Sequence, residues 1–243
     1  RYKFAAKMVA ERRFGWIATF MPKVWPDKAG SGMHVHLGLR SVGGENVFSD
    51  PNGYGGISQT CRYFIGGLLD HARALSAITA PTVNSYKRLV PGYEAPVYIT
   101  WGKRNRSALI RVPEYFPGVG AEARIEFRCP DPLCNPYLAY TALFEAGMDG
   151  IKRKIDPGDP VDENVYKLDE RRRRELGVGV LPRNLKEALE EWMSDDICIR
   201  ALGKEVAEKF LELKMEEWRE YQAHAPKEGH TITKWEIGRY LFA

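Results

Sequence analysis

The stretch Arg124-Ile125-Glu126-Phe127-Arg128 does most to limit how this chain folds, because it alternates charged and apolar residues and then meets Cys129-Pro130. Successive side chains of an extended strand point to opposite faces, so Ile125 and Phe127 share one face and Arg124, Glu126 and Arg128 the other. Proline lacks the N–H that a central ladder needs, so the strand stops there. The sheet that holds it has one face on the core and one face bearing a carboxylate between two guanidiniums. Two readings fit that charged face. It is a polar cavity in which arginines recognise carboxylate or phosphate, or a solvated ladder of ion pairs that contributes little.

Met33–Leu39 has the same design: Val35, Leu37 and Leu39 face one side, His34, His36 and Gly38 the other. It follows a turn over Pro26–Gly32, where Gly30 and Gly32 let backbone approach a ligand closely. Two imidazoles at i and i+2 on one strand face suit a metal site, or one metal ligand and one phosphate donor. A solvent-facing strand with two ordinary histidines is the alternative from this segment alone.

The remaining pattern is mixed. Helical spacing covers Arg1–Phe14 and ends at Gly15, and the short apolar run Trp16–Met21 reads as a buried strand. Gly43-Gly44 predicts a tight turn with Val47 and Phe48 pairing back as a hairpin. Ile57–Ile78 reads as one long helix stopped by Pro81, followed by a polar loop over Thr82–Pro96. Val97–Thr100 and Ala108–Val112 read as strands, and Asn135-Pro136 caps a helix running towards Lys154. Arg88, Arg104, Arg106 and Arg111, with Glu94 among fixed Pro-Gly turns, give Asn84–Arg111 a composition suited to anion binding. After a loop at Pro157–Val161 come helical patterns near Asp169–Leu176, Leu185–Met193 and Glu205–Tyr221, a helical appendix. The fold class is α+β in a single domain over 1–243, with the motifs in 1–166 and a helical part in 167–243.

Composition excludes several classes. Thirty-six Lys and Arg against 32 Asp and Glu leave a formal charge of +4, too mild to imply nucleic acid. The run Arg171–Arg174 is flanked by acids and reads as a solvated helix. Four cysteines without a CxxC pair make no disulfide framework, so a reducing cytoplasm is expected. No run of about 18 apolar residues is present to cross a membrane.

Four runs stand in order: Gly-Ser-Gly-Met-His-Val-His from Gly30, Asn-Ser-Tyr-Lys-Arg-Leu-Val-Pro-Gly-Tyr-Glu-Ala-Pro from Asn84, Arg-Asn-Arg-Ser-Ala from Arg104, and Arg-Ile-Glu-Phe-Arg-Cys-Pro-Asp-Pro from Arg124. Together they closely resemble the catalytic domain of glutamine synthetases, densely from about Tyr2 to Tyr166. Beyond that, Trp235-Glu236 and Arg239-Tyr240-Leu241 look like the C-terminal helix of some members. The resemblance implies a curved antiparallel sheet backed by helices, of the glutamine synthetase/guanido kinase-like type. It also implies ATP and Mg²⁺ or Mn²⁺ as cofactors, glutamate with ammonia or another amine as substrates, and a dodecameric homo-oligomer.

By the same resemblance, His34 and Glu126 ligate metal and His36 contacts nucleotide phosphates, with Gly38 beside the nucleotide. Gly30, Arg88 and Arg128 match glutamate-binding positions, and Arg106 and Arg111 match residues that hold ATP phosphates. Glu94 matches the flap glutamate that takes a proton from ammonium. The implied reaction passes through γ-glutamyl phosphate to glutamine. Ala29 stands where the family usually has Asn or Pro, Gly38 where Ser is frequent, and Ala121 near a position that is often Lys. The altered turn at Ala29 also occurs in relatives that ligate glutamate to polyamines or other amines, the first alternative; a non-catalytic relative is the second. Tyr166 matches a tyrosine that some bacterial relatives modify, and is read as structural. Family members carry further metal-binding glutamates and a β-grasp domain upstream of the match, so this piece alone is not expected to be active.

Overall fold

The computed structural model describes residues 1–93, 95–114, 122–225 and 231–243. Helix α1 (Tyr2–Phe14) ends where Gly15 turns left-handed at φ 65° and its N–H caps the last turn, the close that glycine permits without a Cβ penalty. The following run Trp16–Met21, expected as a buried strand, forms none. Trp16 and Ile17 are 68% and 66% exposed, and Thr19 donates to the carbonyl of Leu241 at 2.8 Å in place of a strand ladder.

β1 (Val35–Leu37) keeps the predicted alternation in a shorter form, with Val35 buried and His36 exposed. The hairpin after it contracts to a single bridge between Arg40 and Asn46, with Gly44 at φ 86° making the turn. The long helix is two: α2 (Gln59–Asp70) and α3 (Ala72–Thr79) meet at His71, whose ψ of 5° interrupts the turn. The supposed polar loop after Pro81 is largely buried and contains one helical turn, α4 (Ser85–Arg88).

β2 (Tyr98–Lys103), β3 (Ala108–Val112) and β4 (Ile125–Phe127) follow, then α5 (Pro136–Arg153), opened by Asn135 accepting from the Tyr137 N–H. The last third holds α6 (Glu170–Glu175), β5 (Gly179–Val180), α7 (Leu185–Ser194), α8 (Ile197–Leu202), α9 (Lys204–Gln222) and α10 (Lys234–Tyr240). Neither β5 nor α8 carries enough periodicity to be read from sequence. Leu185, Leu189, Trp192 and Ile197 join the same hydrophobic cluster as Phe64, Leu68 and Leu75. Fully burying each such large side chain contributes about 1.5–3 kcal/mol. α2 and α5 meet backbone to backbone: a Cβ on Gly67 would lie 2.1 Å from the carbonyl oxygen of Ala146.

The sheet order is β1-β4-β3-β2-β5. It is not wholly antiparallel as expected: β2 and β3 run parallel, Tyr98 opposite Ala108 and Lys103 opposite Val112. The four-residue link Arg104–Ser107 must run back along β2, and at roughly 3.3–3.6 Å per residue it just spans that length. Asn105 pins it, donating to the carbonyls of Val161 at 2.6 Å and Glu163 at 2.9 Å. The antiparallel pairings β1–β4 and β4–β3 set His36 and Arg111 on either side of Glu126, which puts the charged face of three strands in one place.

Candidate active site

Glu126 is the centre of that face. It is 4% exposed, and both its oxygens are engaged: Oε1 with Nδ1 of His34 at 2.8 Å and a guanidinium N–H of Arg128 at 3.0 Å, Oε2 with Arg111 at 2.8 Å. Burial alone raises the carboxyl, but the hydrogen bonds from His34 and Arg111 and the charge of Arg128 overcome it and hold Glu126 well below the usual carboxylate range. Hydrogen bonding to the charged form is what keeps a buried carboxylate ionised. Nε of Arg111 is buried without a hydrogen-bond partner among the described residues, so the cluster retains donor capacity that those residues do not use.

The predicted glutamate-binding residues come together beside it. Arg88, 3% exposed, donates to the carbonyls of Cys129 at 2.7 Å and Arg128 at 3.1 Å. Burial pulls its pKa down, against the opposing charge of Asp131. A Cβ on Gly30 would lie 2.3 Å from the Pro22 carbonyl and 3.1 Å from Cγ of Arg88, and one on Gly32 would lie 2.6 Å from the Arg88 guanidinium. The Gly-Ser-Gly turn is therefore required by the approach of backbone to arginine. Gly30, Gly32, His34, Arg88, Arg128 and Ala29 line a cavity of about 130 Å³, closed by Tyr93 and Ala95.

A second cavity of about 540 Å³ lies along β1 and is lined by His36, Gly38, Arg40, Asn46, Glu122 and Arg124. The His-x-His pair is thus divided, His34 bordering the smaller cavity and His36 the larger. Arg124 donates through Nε to Nδ1 of His36 at 3.2 Å, so that nitrogen carries no proton. Burial, with the neighbouring arginines, lowers the His36 pKa in spite of Glu126, and a neutral imidazole keeps its other N–H for an acceptor in the cavity.

Not every predicted residue joins. Arg106 is exposed in the link between β2 and β3 and lines neither cavity. Glu94 and Ala121 lie outside the described residues. Sequence reasoning missed Tyr93, whose ring lies 3.7 Å under the ammonium of buried Lys23, and gave Arg124 no role of its own. The second was visible in the alternation of β4; the first depends on the fold bringing Lys23 and Asn84 together, where Asn84 accepts from the Lys23 N–H at 2.8 Å. Tyr166 donates its hydroxyl to the carbonyl of Ala95, a tie that fixes one wall of the smaller cavity.

The model of the glutamine synthetase catalytic domain matches residues 1–240. The chain belongs to the glutamine synthetase family. The glutamine synthetase of Pyrococcus abyssi (strain GE5 / Orsay) is 53% identical over 246 residues, which cover 99% of this chain and 54% of that protein. That of Archaeoglobus fulgidus (strain ATCC 49558 / DSM 4304 / JCM 9628 / NBRC 100126 / VC-16) is 53% identical over 244 residues, 99% of this chain and 48% of that protein. Among solved structures, one described as "GmaS/ADP complex-Conformation 1" superposes with a TM-score of 0.81 at 36% identity, covering 100% of this chain and 53% of that one. Another, "Apo GmaS without ligand", gives 0.79 at 37%, covering 98% and 51%. The chain therefore spans about half the length of the relatives it matches.

Within this glutamine synthetase domain, His34 and Glu126 offer an imidazole nitrogen and a carboxylate in contact with each other, of which the carboxylate is the donor type that suits Mn²⁺ or Mg²⁺. No group of three possible ligands occurs among the described residues. The pair fits a divalent cation in kind and as part of a larger ligand set.

Proposed function

We propose that the protein carrying this chain ligates ammonia to the γ-carboxylate of L-glutamate at the expense of ATP, through γ-glutamyl phosphate, releasing glutamine, ADP and phosphate. The observation that carries this reading is the Glu126 cluster: a buried carboxylate tied to His34, Arg111 and Arg128, standing between a small cavity rimmed by arginines and a larger polar one. Arg88 and Arg128 offer fixed positive charge to the carboxylates of glutamate. His36 lines the larger cavity, the phosphate side of this reading, and Arg111 lines neither cavity but is tied to that side through Glu126. Arg106 is assigned there by the resemblance alone. A relative solved as an ADP complex supports nucleotide use.

A divalent cation held by His34 and Glu126, with ligands from outside the described residues, would supply charge neutralisation for the transferred phosphoryl group. The chain's own part is preorganisation: guanidiniums already placed and desolvated, so that little reorganisation is needed when charge moves to the acyl phosphate. Glu94 takes the proton of the incoming ammonium in this scheme, a role that rests on the resemblance alone. Assembly into a homo-oligomer belongs to the same proposal.

One observation favours a second acceptor. The small cavity is lined by the methyl of Ala29 where Asn or Pro is usual in the family, and a wider, less polar wall than Asn gives suits an organic amine. ATP-dependent phosphate release by the intact protein, with glutamate and Mg²⁺ and either ammonium or a panel of mono- and polyamines, decides between them. Turnover with ammonium establishes the first reading and turnover only with an organic amine the second. No release from a folded, ATP-binding protein overturns both and leaves the non-catalytic relative.

A further inference from the structure

A groove of about 470 Å³ lies on the far side of the segment that walls the substrate cavity. Within 86–98, Arg88, Tyr93 and Ala95 face the substrate cavity, while Tyr86, Leu89 and Val97 face the groove. Tyr86, Leu89 and Val97 are 4%, 5% and 8% exposed and form an apolar floor. The opposite wall is Val178 and Val180, the latter 42% exposed on the two-residue edge strand β5. Pro91 and Pro182 stiffen both rims. The size and the mainly apolar lining are those of small-molecule sites.

The mouth carries three arginines against one acid, Glu170. Arg173 is committed to the wall, stacked 4.9 Å over the Tyr98 ring and donating to the Leu168 carbonyl. Arg174 meets Glu170 at 3.4 Å, both side chains about three-quarters exposed, a pairing easily exchanged for another. Arg183 uses its backbone N–H on Glu187 at 2.9 Å, and its guanidinium has no side-chain partner among the described residues. An apolar floor under two cationic groups that are weakly held or unpaired selects one ligand chemistry. We propose that this groove binds a small amphipathic anion, an apolar ring or branched body ending in a carboxylate or sulfonate, with its head at Arg183 and Arg174. Nothing in the ligase reading uses the groove, and the shared segment 86–98 makes its occupant a neighbour of Arg88.

The probe is 2-naphthoate, with 2-naphthamide as its uncharged counterpart, titrated into the full chain by calorimetry. Saturable one-to-one binding is expected, weakened about tenfold by removal of the charge in the amide and by Arg183→Glu. Val180→Trp, at an exposed position that tolerates bulk, fills the groove and removes binding. Hydrogen exchange in the presence of naphthoate is expected to slow at 86–98 and 176–183. Several results overturn the proposal: no saturable binding, equal affinity for acid and amide, or indifference to both variants. Protection confined to the exposed apolar residues of 4–18 also overturns it, as does naphthoate uptake that merely competes with self-association seen by sedimentation, which would assign the groove to a second copy.

Discussion

Two histidine–carboxylate–arginine clusters occur in this chain, built from the same parts to opposite ends. Around Glu126, His34 spends Nδ1 on the carboxylate and its Nε2 has no hydrogen-bond partner among the described residues, while Nε of Arg111 is buried and unused. Around His71, both ring nitrogens are engaged, Nδ1 with Asp195 at 2.7 Å and Nε2 with Asp149 at 3.1 Å. Asp149 is closed in turn by Arg153 at 2.8 Å and Arg200 at 3.0 Å. The first cluster sits on sheet strands facing cavities; the second joins the break between α2 and α3 to α5 and the start of α8. Unused hydrogen-bonding capacity suits a group that takes a ligand, and complete satisfaction suits a group that holds helices together.

The largest expected effect comes from emptying the first cluster. Glu126→Ala removes the carboxylate that ties His34, Arg111 and Arg128 together in a buried cluster, which costs roughly 3–5 kcal/mol and, in the intact protein, lowers phosphate release by about 10³-fold or more. Glu126→Gln keeps the volume and one acceptor. It should recover most of the stability in a denaturant titration while turnover stays at least about 10²-fold down. Equal recovery of both would make the Glu126 cluster as structural as its counterpart.

His71→Ala is next and should show the reverse split. It removes a donor to Asp149 and Asp195 and loosens the α2–α3 joint, for a loss of about 1–3 kcal/mol. The kcat and glutamate KM should remain unchanged at a temperature where the variant is folded. A selective fall in turnover would erase the distinction between the clusters.

The same joint predicts a pH dependence. Burial lowers the His71 pKa, but the hydrogen bonds it donates to Asp195 and Asp149 and the nearby charge of Asp70 outweigh it, so the folded value is raised above the ordinary one. A raised histidine contributes stability that is present in full below its unfolded pKa of about 6.5 and is lost as pH rises through the folded value. Burial raises the Asp149 carboxyl, but its hydrogen bonds from His71 and Arg153 and the charge of Arg200 hold it below its ordinary value. The stability difference between the native chain and His71→Gln is therefore expected to shrink from pH 5.5 to 8.5 in urea titrations. A difference that grows would reverse the assignment.

How much of this was legible follows from which interactions are local. The strand β4, the cap at Asn135, the stop at Gly15 and the His-x-His alternation are set by neighbours in sequence, and all appear where the pattern puts them. The break at His71 depends on Asp149 and Asp195, far along the chain, so periodicity alone reads straight through it. Trp16–Met21 has strand composition, but strand structure also requires a neighbouring edge to pair with. The parallel pairing of β2 with β3 is hidden for a similar reason: a four-residue link reads as a hairpin unless the return run pinned by Asn105 is known. Of the site, residue types and their faces were visible, while the division of His34 and His36 between two cavities, and the part played by Tyr93, required the fold.

The smallest predicted effect tests the cavity wall and not the cluster. Ala29 borders the smaller cavity beside Gly30 and Arg88, in an exposed turn where a larger polar side chain meets no core packing. Ala29→Asn adds an amide able to donate to a glutamate carboxylate, and one such hydrogen bond is worth about 0.5–1.5 kcal/mol, or a roughly two- to tenfold fall in glutamate KM. Because the contact is present in ground and transition states alike, kcat should hardly move. An organic amine, if it is the true acceptor, needs the room that the methyl leaves, so the same substitution should raise its KM. Opposite shifts for glutamate and amine would place the acceptor against Ala29; parallel shifts would place it elsewhere in the cavity and remove the observation that favours the second reading.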